Sequence, residues 1–268
     1  MTKNRFELKG NAPELYEKQK VPAIFDPLAE ATLDKVPLFD TDNILDAACG
    51  TGIVARKARK RVGPNARIVG VDLNKGMIET AKNLTDPHSR TCEWHVADIT
   101  NTPFQDDAFT IAFCQQGLQF FPDKSAALGE LRRVLKPDGR LALTVWSELS
   151  IWYKSLLAAL TELVNAEMAE QSLSSSDLPD QKDIRALLVE QGFSDVSFQI
   201  VTVNRTIDST QGAIRNEILG SPLGAILADL GGDVLGAIVD AIFDTLSVYR
   251  QGDNFIVPQR TYLVQAKA

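Results

Sequence analysis

A chain of 268 residues, 44% hydrophobic and 24% charged, is long enough for one large core or for a core carrying an insertion. A net charge of −7 argues against non-specific affinity for nucleic acid or anionic membranes. The basic runs Arg56-Lys57 and Arg59-Lys60-Arg61 fall on a predicted helix and read as its solvated face.

Residues 1–20 hold Lys3, Arg5, Lys9, Lys18 and Lys20 without an apolar segment, so no secretory leader is expected. No later stretch approaches the roughly 18 apolar residues that a membrane span needs. Residues 43–47 (NILDA) read as a buried strand, 52–62 as a helix, 66–72 (ARIVGVD) as a strand and 74–84 as a helix. A strand near 92–97, another near 108–114, a helix near 123–135 and a strand at 139–146 (GRLALTVW) follow. This alternation predicts an α/β fold, a parallel sheet with helices on both faces and ligands at the carboxyl ends of its strands. Cys49, Cys92 and Cys114 are odd in number and lie at apolar positions, which predicts reduced thiols and a cytoplasmic location.

Beyond 146 the pattern changes. Ile151, Leu156, Leu157, Leu160, Leu163 and Val164 recur at helical spacing within 150–170. A Ser-rich turn at 172–176 leads to a helix at 180–191, with Gly192 at its C-cap. Residues 194–203 (SDVSFQIVTV) alternate as a strand, 207–250 read as apolar helix broken at Gly220-Ser221-Pro222 and Gly231-Gly232, and 259–266 (QRTYLVQA) close the chain as a strand. The expected organisation is a core of 41–206 with 258–268, and a helical insertion at 207–257. Its surplus apolar positions, among them Ile214, Ile218, Leu230, Ile238 and Phe243, fit a cap over a pocket or a homodimer surface.

The main signal is Asp46-Ala-Ala-Cys-Gly50-Thr-Gly52, set between a strand and a helix. Gly50 and Gly52 let the backbone turn tightly and admit a ligand where a Cβ would collide. Gly50-x-Gly52-x-x-Ala55 also satisfies the dinucleotide fingerprint, and Asp72, roughly 20 residues on, suits a ribose hydroxyl in either reading. Asp46 separates them. A pyrophosphate prefers helix amides without a carboxylate nearby, whereas an acid at a strand end suits a cationic ligand such as S-adenosylmethionine (SAM), with its ammonium and sulfonium. A turn or N-cap role is the plainer alternative for Asp46. Asp98, with Ile99, ends a third strand, where an acid can accept from an adenine amine.

These residues resemble those of the class I SAM-dependent methyltransferases of the UbiE/COQ5-like (methyltransferase type 11) kind. Asp46–Gly52 is similar to that family's first motif and Val69-Gly-Val-Asp72-Leu-Asn to its second. Asp98 with Pro103-Phe104 and Asp107-Ala-Phe109 resembles the third, and Leu131-Arg-Arg-Val-Leu-Lys-Pro-Asp-Gly139 the turn into the fifth strand. Asp138 departs from the pattern, which often has glycine there. The resemblance implies a Rossmann-like sheet, mostly parallel with an antiparallel last strand, and SAM as cofactor with S-adenosylhomocysteine as product. Tyr16-Glu17, Val21-Pro22, Phe25 and Pro27-Leu-Ala29 resemble an amino-terminal segment (1–40) that folds over the cofactor in a bacterial subgroup. Carried over by residue, the cofactor set is Tyr16, Phe25, Asp46, Ala48, Gly50, Gly52, Asp72, Leu73, Met77, Asp98, Ile99 and Gln115. Met77 and Tyr16 serve equally as packing residues.

Methyl transfer mainly requires alignment of nucleophile and methyl group, so no catalytic residue is singled out, and no metal is expected. His88 and His95 are read as structural or exposed. Gln116, Gln119, Phe120 and Trp146 are the substrate-facing candidates, a lining that suits a small neutral or apolar acceptor. The expected activity is C-, N- or O-methylation of such a molecule; a nicotinamide oxidoreductase and a non-catalytic SAM-binding protein are the alternatives.

Overall fold

The computed structural model of the protein describes residues 10–85, 92–173, 180–219, 224–229 and 231–268. His88, Leu230, Gly220-Ser221-Pro222 and part of the Ser-rich turn lie outside them. The chain opens with α1 (Ala12–Leu15), a π-helical segment (Tyr16–Phe25) and α2 (Asp26–Leu33). Then β1 (Asn43–Ala47), α3 (Ile53–Arg61), β2 (Arg67–Asp72), α4 (Lys75–Asn83), β3 (Glu93–Val96), β4 (Phe109–Gln115), α5 (Lys124–Val134) and β5 (Leu135–Trp146) alternate as the periodicity predicts. Local chemistry sets the starts of the helices. The Asn74 side chain accepts from the amides of Gly76 and Met77 to open α4, and Asp123 accepts from Ala126 to open α5.

Among the described residues one sheet runs in the order β3-β2-β1-β4-β5-β8-β6, where β6 is Ser194–Asp208 and β7 (Arg250–Gln251) pairs with β8 (Asn254–Lys267). The pairs β1–β2, β1–β4, β2–β3 and β4–β5 are parallel; β5–β8 is antiparallel, with Thr144 opposite Leu263. β1, β2 and β4 are buried along almost their whole length, as strands covered on both faces must be. The order reverses between β1 and β4, so a crevice opens outside their carboxyl ends.

The chain divides into two compact units, Met1–Ser147 with Pro179–Val201 and Thr261–Ala268, and Glu148–Leu178 with Thr202–Arg260. In the first, Leu45, Val69, Val71, Phe109, Leu128, Leu131 and Leu143 share one buried core, joined by Ile184 and Leu188 of α8 (Gln181–Glu190). In the second, Trp152, Leu156 and Leu160 of α6 (Ile151–Leu163) pack with Ile214 and Ile218 of α9 (Gln211–Leu219), Leu227 of α10 (Gly224–Ala228) and Ile238 and Ile242 of α11 (Gly232–Leu246). This unit therefore takes in residues beyond the 207–257 segment. The helical run 150–170 is two helices, α6 and α7 (Ala166–Leu173), because Asn165 accepts from the Met168 amide and starts a new one. β6 (Ser194–Asp208) outlasts the expected strand, its alternation continuing through buried Val201, Val203 and Ile207. β8 likewise begins before 259, with Phe255 and Val257 facing inward. Asp138 stands at φ +61°, which explains why glycine is common at this turn and why aspartate, tolerant of the left-handed region, replaces it.

One ring fixes how the glycine loop meets the sheet. Trp94 of β3 lies opposite Gly70 of β2, and a Cβ at Gly70 would come within 2.3 Å of the indole, one at Gly52 within 2.1 Å. The indole Nε1–H donates to Thr85 Oγ1 at 3.1 Å, so the ring cannot simply swing aside. Gly70→Ala is expected to lower unfolding free energy by about 1–3 kcal/mol, the usual cost of overpacking, measured by urea denaturation. Adding Trp94→Leu should recover part of that loss; a Gly70→Ala protein as stable as the parent would show that the ring yields.

Candidate active site

Five parallel strands deliver their carboxyl ends to one edge of the sheet, and the motif residues lie along it. Asp46 sits within β1, only 1% exposed, and its Oδ2 accepts from the Ala55 amide at 2.9 Å. It thereby satisfies a free N–H of the first turn of α3. Burial pushes its carboxyl up to about 7, against the pull of that hydrogen bond and reinforced by the Asp72 charge. Asp72 closes β2. Its Oδ2 accepts from Gly50 N–H at 2.8 Å and its Oδ1 from Asn74 N–H at 2.8 Å. Desolvation raises this carboxyl too, although both amides oppose the shift.

The loop between these acids is held in conformations that side chains rarely adopt. Ala48 (φ +52°), Gly50 (φ +55°) and Gly52 (φ +83°) follow β1, and Gln116 (φ +56°) follows β4. Non-glycine residues in the left-handed region cluster where function demands a particular turn. Gly117 presses against Ala48 and Cys114, each about 2.8 Å from where its Cβ would be, so the loops after the two strands interlock. A Cβ at Gly50 would meet only the Tyr16 ring, at 3.9 Å. Tyr16 stacks on Phe25 with ring centroids 5.3 Å apart, and Gln115 Nε2 donates to the Phe25 carbonyl at 3.2 Å. Burial beside Asp72 and Glu17 holds the Tyr16 phenol well above its ordinary range.

The remaining sequence candidates fall into two groups. Leu73 is 48% exposed at the end of β2, whereas Met77 is 6% exposed inside α4 and reads as packing. Asp98 is exposed just beyond β3, its Oδ1 accepting from the Thr100 amide and hydroxyl, with Ile99 buried beside it. Gln119 and Trp146 are half-buried and Phe120 exposed. Gln116 is 6% exposed, and its Nε2 donates to Thr261 Oγ1 at 3.0 Å and Thr144 Oγ1 at 3.4 Å. Thr261 gives its own hydroxyl hydrogen to the Val145 carbonyl at 2.6 Å, so towards Gln116 it can only accept. The amide orientation is fixed by that, and Gln116 Oε1 is buried without a donor. Gln115 Oε1 and Gln119 Oε1 are in the same condition. His95 sits within β3, 3.8 Å from Glu93 and edge-on to Phe104. Sequence reasoning passed over Trp94, Thr144, Thr261, and the Thr51–Arg56 pair that grips Glu17. Their contacts span distant parts of the chain, and no local motif announces them.

Residues 44–139 match a family described as a methyltransferase domain. The ubiquinone/menaquinone biosynthesis C-methyltransferase UbiE of Pseudomonas entomophila is 32% identical over 188 residues, covering 62% of this chain and 72% of that protein. The chain belongs to the class I SAM-dependent methyltransferases. The demethylmenaquinone methyltransferase of Lactococcus lactis is 28% identical over 170 residues, 59% of this chain and 68% of its own length. A phosphoethanolamine N-methyltransferase 2 of Haemonchus contortus, solved with phosphomonomethylethanolamine and S-adenosylhomocysteine, shares the fold at a TM-score of 0.57 and 19% identity, over 90% of this chain and 52% of that one.

As a methyltransferase of this family, the protein moves a methyl group from SAM to a small-molecule acceptor, leaving S-adenosylhomocysteine. The residues present fit that cofactor. Two buried carboxylates with raised affinity for a proton favour a cationic ligand, the main chain at Gly50 is bare, and Gln115 Oε1 awaits a donor. SAM supplies a methyl group already activated by its sulfonium leaving group. What is left to the chain is binding, alignment and exclusion of water. Its thiols stay protonated at neutral pH: burial pushes Cys114 up to about 12 and Cys92 to about 11. Among the described residues no helix is long and apolar enough to cross a membrane.

Asp46 also sets a pH signature. Its folded carboxyl titrates near 7 against 3.8 unfolded, so between roughly pH 4 and 7 the folded state holds a proton that the unfolded state has lost. The associated stability is complete below that window and disappears as pH rises through it. Asp46→Asn, which keeps an oxygen for the Ala55 amide, should flatten the fall in stability between pH 4 and 7. Urea unfolding curves across that range measure it, and identical slopes in both proteins would refute it.

Proposed function

We propose that the crevice outside β1 and β4 takes SAM, with the acceptor beyond Gln115, against Gln116, Gln119, Phe120 and Trp146. In this reading Gly50, Gly52 and Ala48 pass beneath the cofactor, and Asp46 faces its amino end. Asp72 holds the ribose hydroxyls, Leu73, Asp98 and Ile99 border adenine, and Tyr16 and Phe25 cover the methionine end. Met77 supports this wall from inside α4.

The observation that carries the acceptor assignment is the set of buried glutamine oxygens without donors. A buried acceptor left unpaired costs roughly 1–3 kcal/mol, so the molecule that completes this site brings N–H or O–H groups of its own. The acceptor is therefore a small, uncharged molecule with an apolar body and at least one hydroxyl or amine. The relatives' role as C-methyltransferases in ubiquinone and menaquinone biosynthesis supports a carbon nucleophile within that class. The net charge of −7 supports an acceptor other than nucleic acid, and three unpaired buried cysteines support action in the reducing cytoplasm.

Calorimetry with SAM, S-adenosylhomocysteine and NAD tests the cofactor assignment: the first two should bind and NAD should not. Asp72→Ala should weaken SAM binding by about tenfold to a hundredfold, since hydrogen bonds to a charged group contribute about 1.5–3 kcal/mol each. Tight NAD binding without SAM binding overturns the reading, and unchanged SAM affinity in the variant overturns the ribose placement.

A further inference from the structure

The amino-terminal segment is fastened to the crevice at two points, and the first of them is a carboxylate to which the sequence reading gives no role. Glu17 follows Tyr16 in the π-helical segment. Its Oε2 accepts from Thr51 Oγ1 at 2.5 Å and its Oε1 from the Arg56 guanidinium at 2.8 Å. Thr51 lies between the two glycines of the loop and is 1% exposed. Arg56 belongs to the opening of α3, where the helix dipole disfavours a cation, so Glu17 also neutralises a charge that the helix itself opposes. The pair is partly shielded, with side-chain exposures of 22% and 16%, and charge-assisted bonds in that setting exceed ordinary surface pairs.

The second fastening is Gln115 Nε2 on the Phe25 carbonyl. Between them runs Tyr16–Phe25, a π-helical stretch of the kind that gathers at functional sites. Tyr16 and Phe25 at its two ends stack on one another. The Tyr16 ring is the nearest group to the open face of Gly50.

We propose that Glu17 is a positioning residue for the methyl donor: by gripping Thr51 and Arg56 it sets Tyr16 over Gly50 and so fixes the depth of the donor crevice. The proposal rests on the SAM reading of that crevice. Glu17 contacts the loop rather than the donor, and its effect reaches the donor through Tyr16 and the loop backbone.

The test is SAM and S-adenosylhomocysteine titration of the full chain by calorimetry, alongside thermal unfolding, for wild type, Glu17→Ala, Glu17→Gln, Thr51→Val and the exchange Glu17→Arg/Arg56→Glu. Glu17→Ala should weaken donor binding by about tenfold or more, the scale of small misplacements in such sites. In turnover assays KM for SAM should rise more than kcat falls. Glu17→Gln, which can still accept from Thr51, should fall between wild type and alanine, and the charge exchange should recover part of the affinity. Thr51→Val and Glu17→Ala combined should cost less than the sum of the two, because they break one linkage. Donor affinity in Glu17→Ala within twofold of wild type overturns the proposal. So does a loss that the charge exchange leaves unrestored while melting temperatures stay at the wild-type value. Failure of wild type to bind SAM at all would instead overturn the cofactor assignment.

Discussion

The crevice depends on two carboxylates buried on neighbouring strands. Asp46 and Asp72 sit at or near the ends of β1 and β2, each desolvated, and the charge of Asp72 further raises the proton affinity of Asp46. What keeps them there is backbone. Ala55 N–H holds Asp46, while Gly50 and Asn74 N–H groups hold Asp72. The Asp72 contacts tie the end of β2 to the glycine loop on one side and to the approach of α4 on the other. Remove that carboxylate and the loop loses its fixed point. A cation would relieve the charge that burial makes costly there, whereas a pyrophosphate would add to it.

Around that pair, packing rather than hydrogen bonding sets the shape. Trp94 occupies the space left by Gly52 and Gly70, so glycines on different elements answer to one ring. The loop's freedom to turn and its tightness against the sheet are therefore separate requirements. Both glycines hold left-handed backbone, but Gly50 faces open space short of the Tyr16 ring, while Gly52 lies against the indole.

The order of elements through β5, and the glycine loop with the acids beside it, could be read from the sequence because these features are local. A glycine loop between strand and helix, acids at or near the ends of β1, β2 and β3, and a capping Asn74 or Asp123 are encoded within a few residues of where they act. The lengths of β6 and β8 were under-read because their two-residue alternation runs on into stretches whose apolar content suggested helix. The apolar stripe of α6 says only that the helix packs, not against which partner. Glu17, Trp94 and Thr261 were missed for the same reason. Each acts on a group far away in the chain, and a single carboxylate, indole or hydroxyl has no periodicity to betray it.

Ala48 and Gln116 carry a further implication. Both hold left-handed backbone without being glycine, at the tips of adjacent strands, and each gives up roughly a kilocalorie per mole for doing so. Glycine would adopt the same dihedral angles without that penalty, yet it would also loosen the two tips and, at 116, delete the amide whose oxygen waits for a donor. The molecule is thus held below the stability its fold would permit, at two places beside the crevice. Selection for heat resistance alone would be expected to erode these positions first, and with them the fixed shape of the two strand tips.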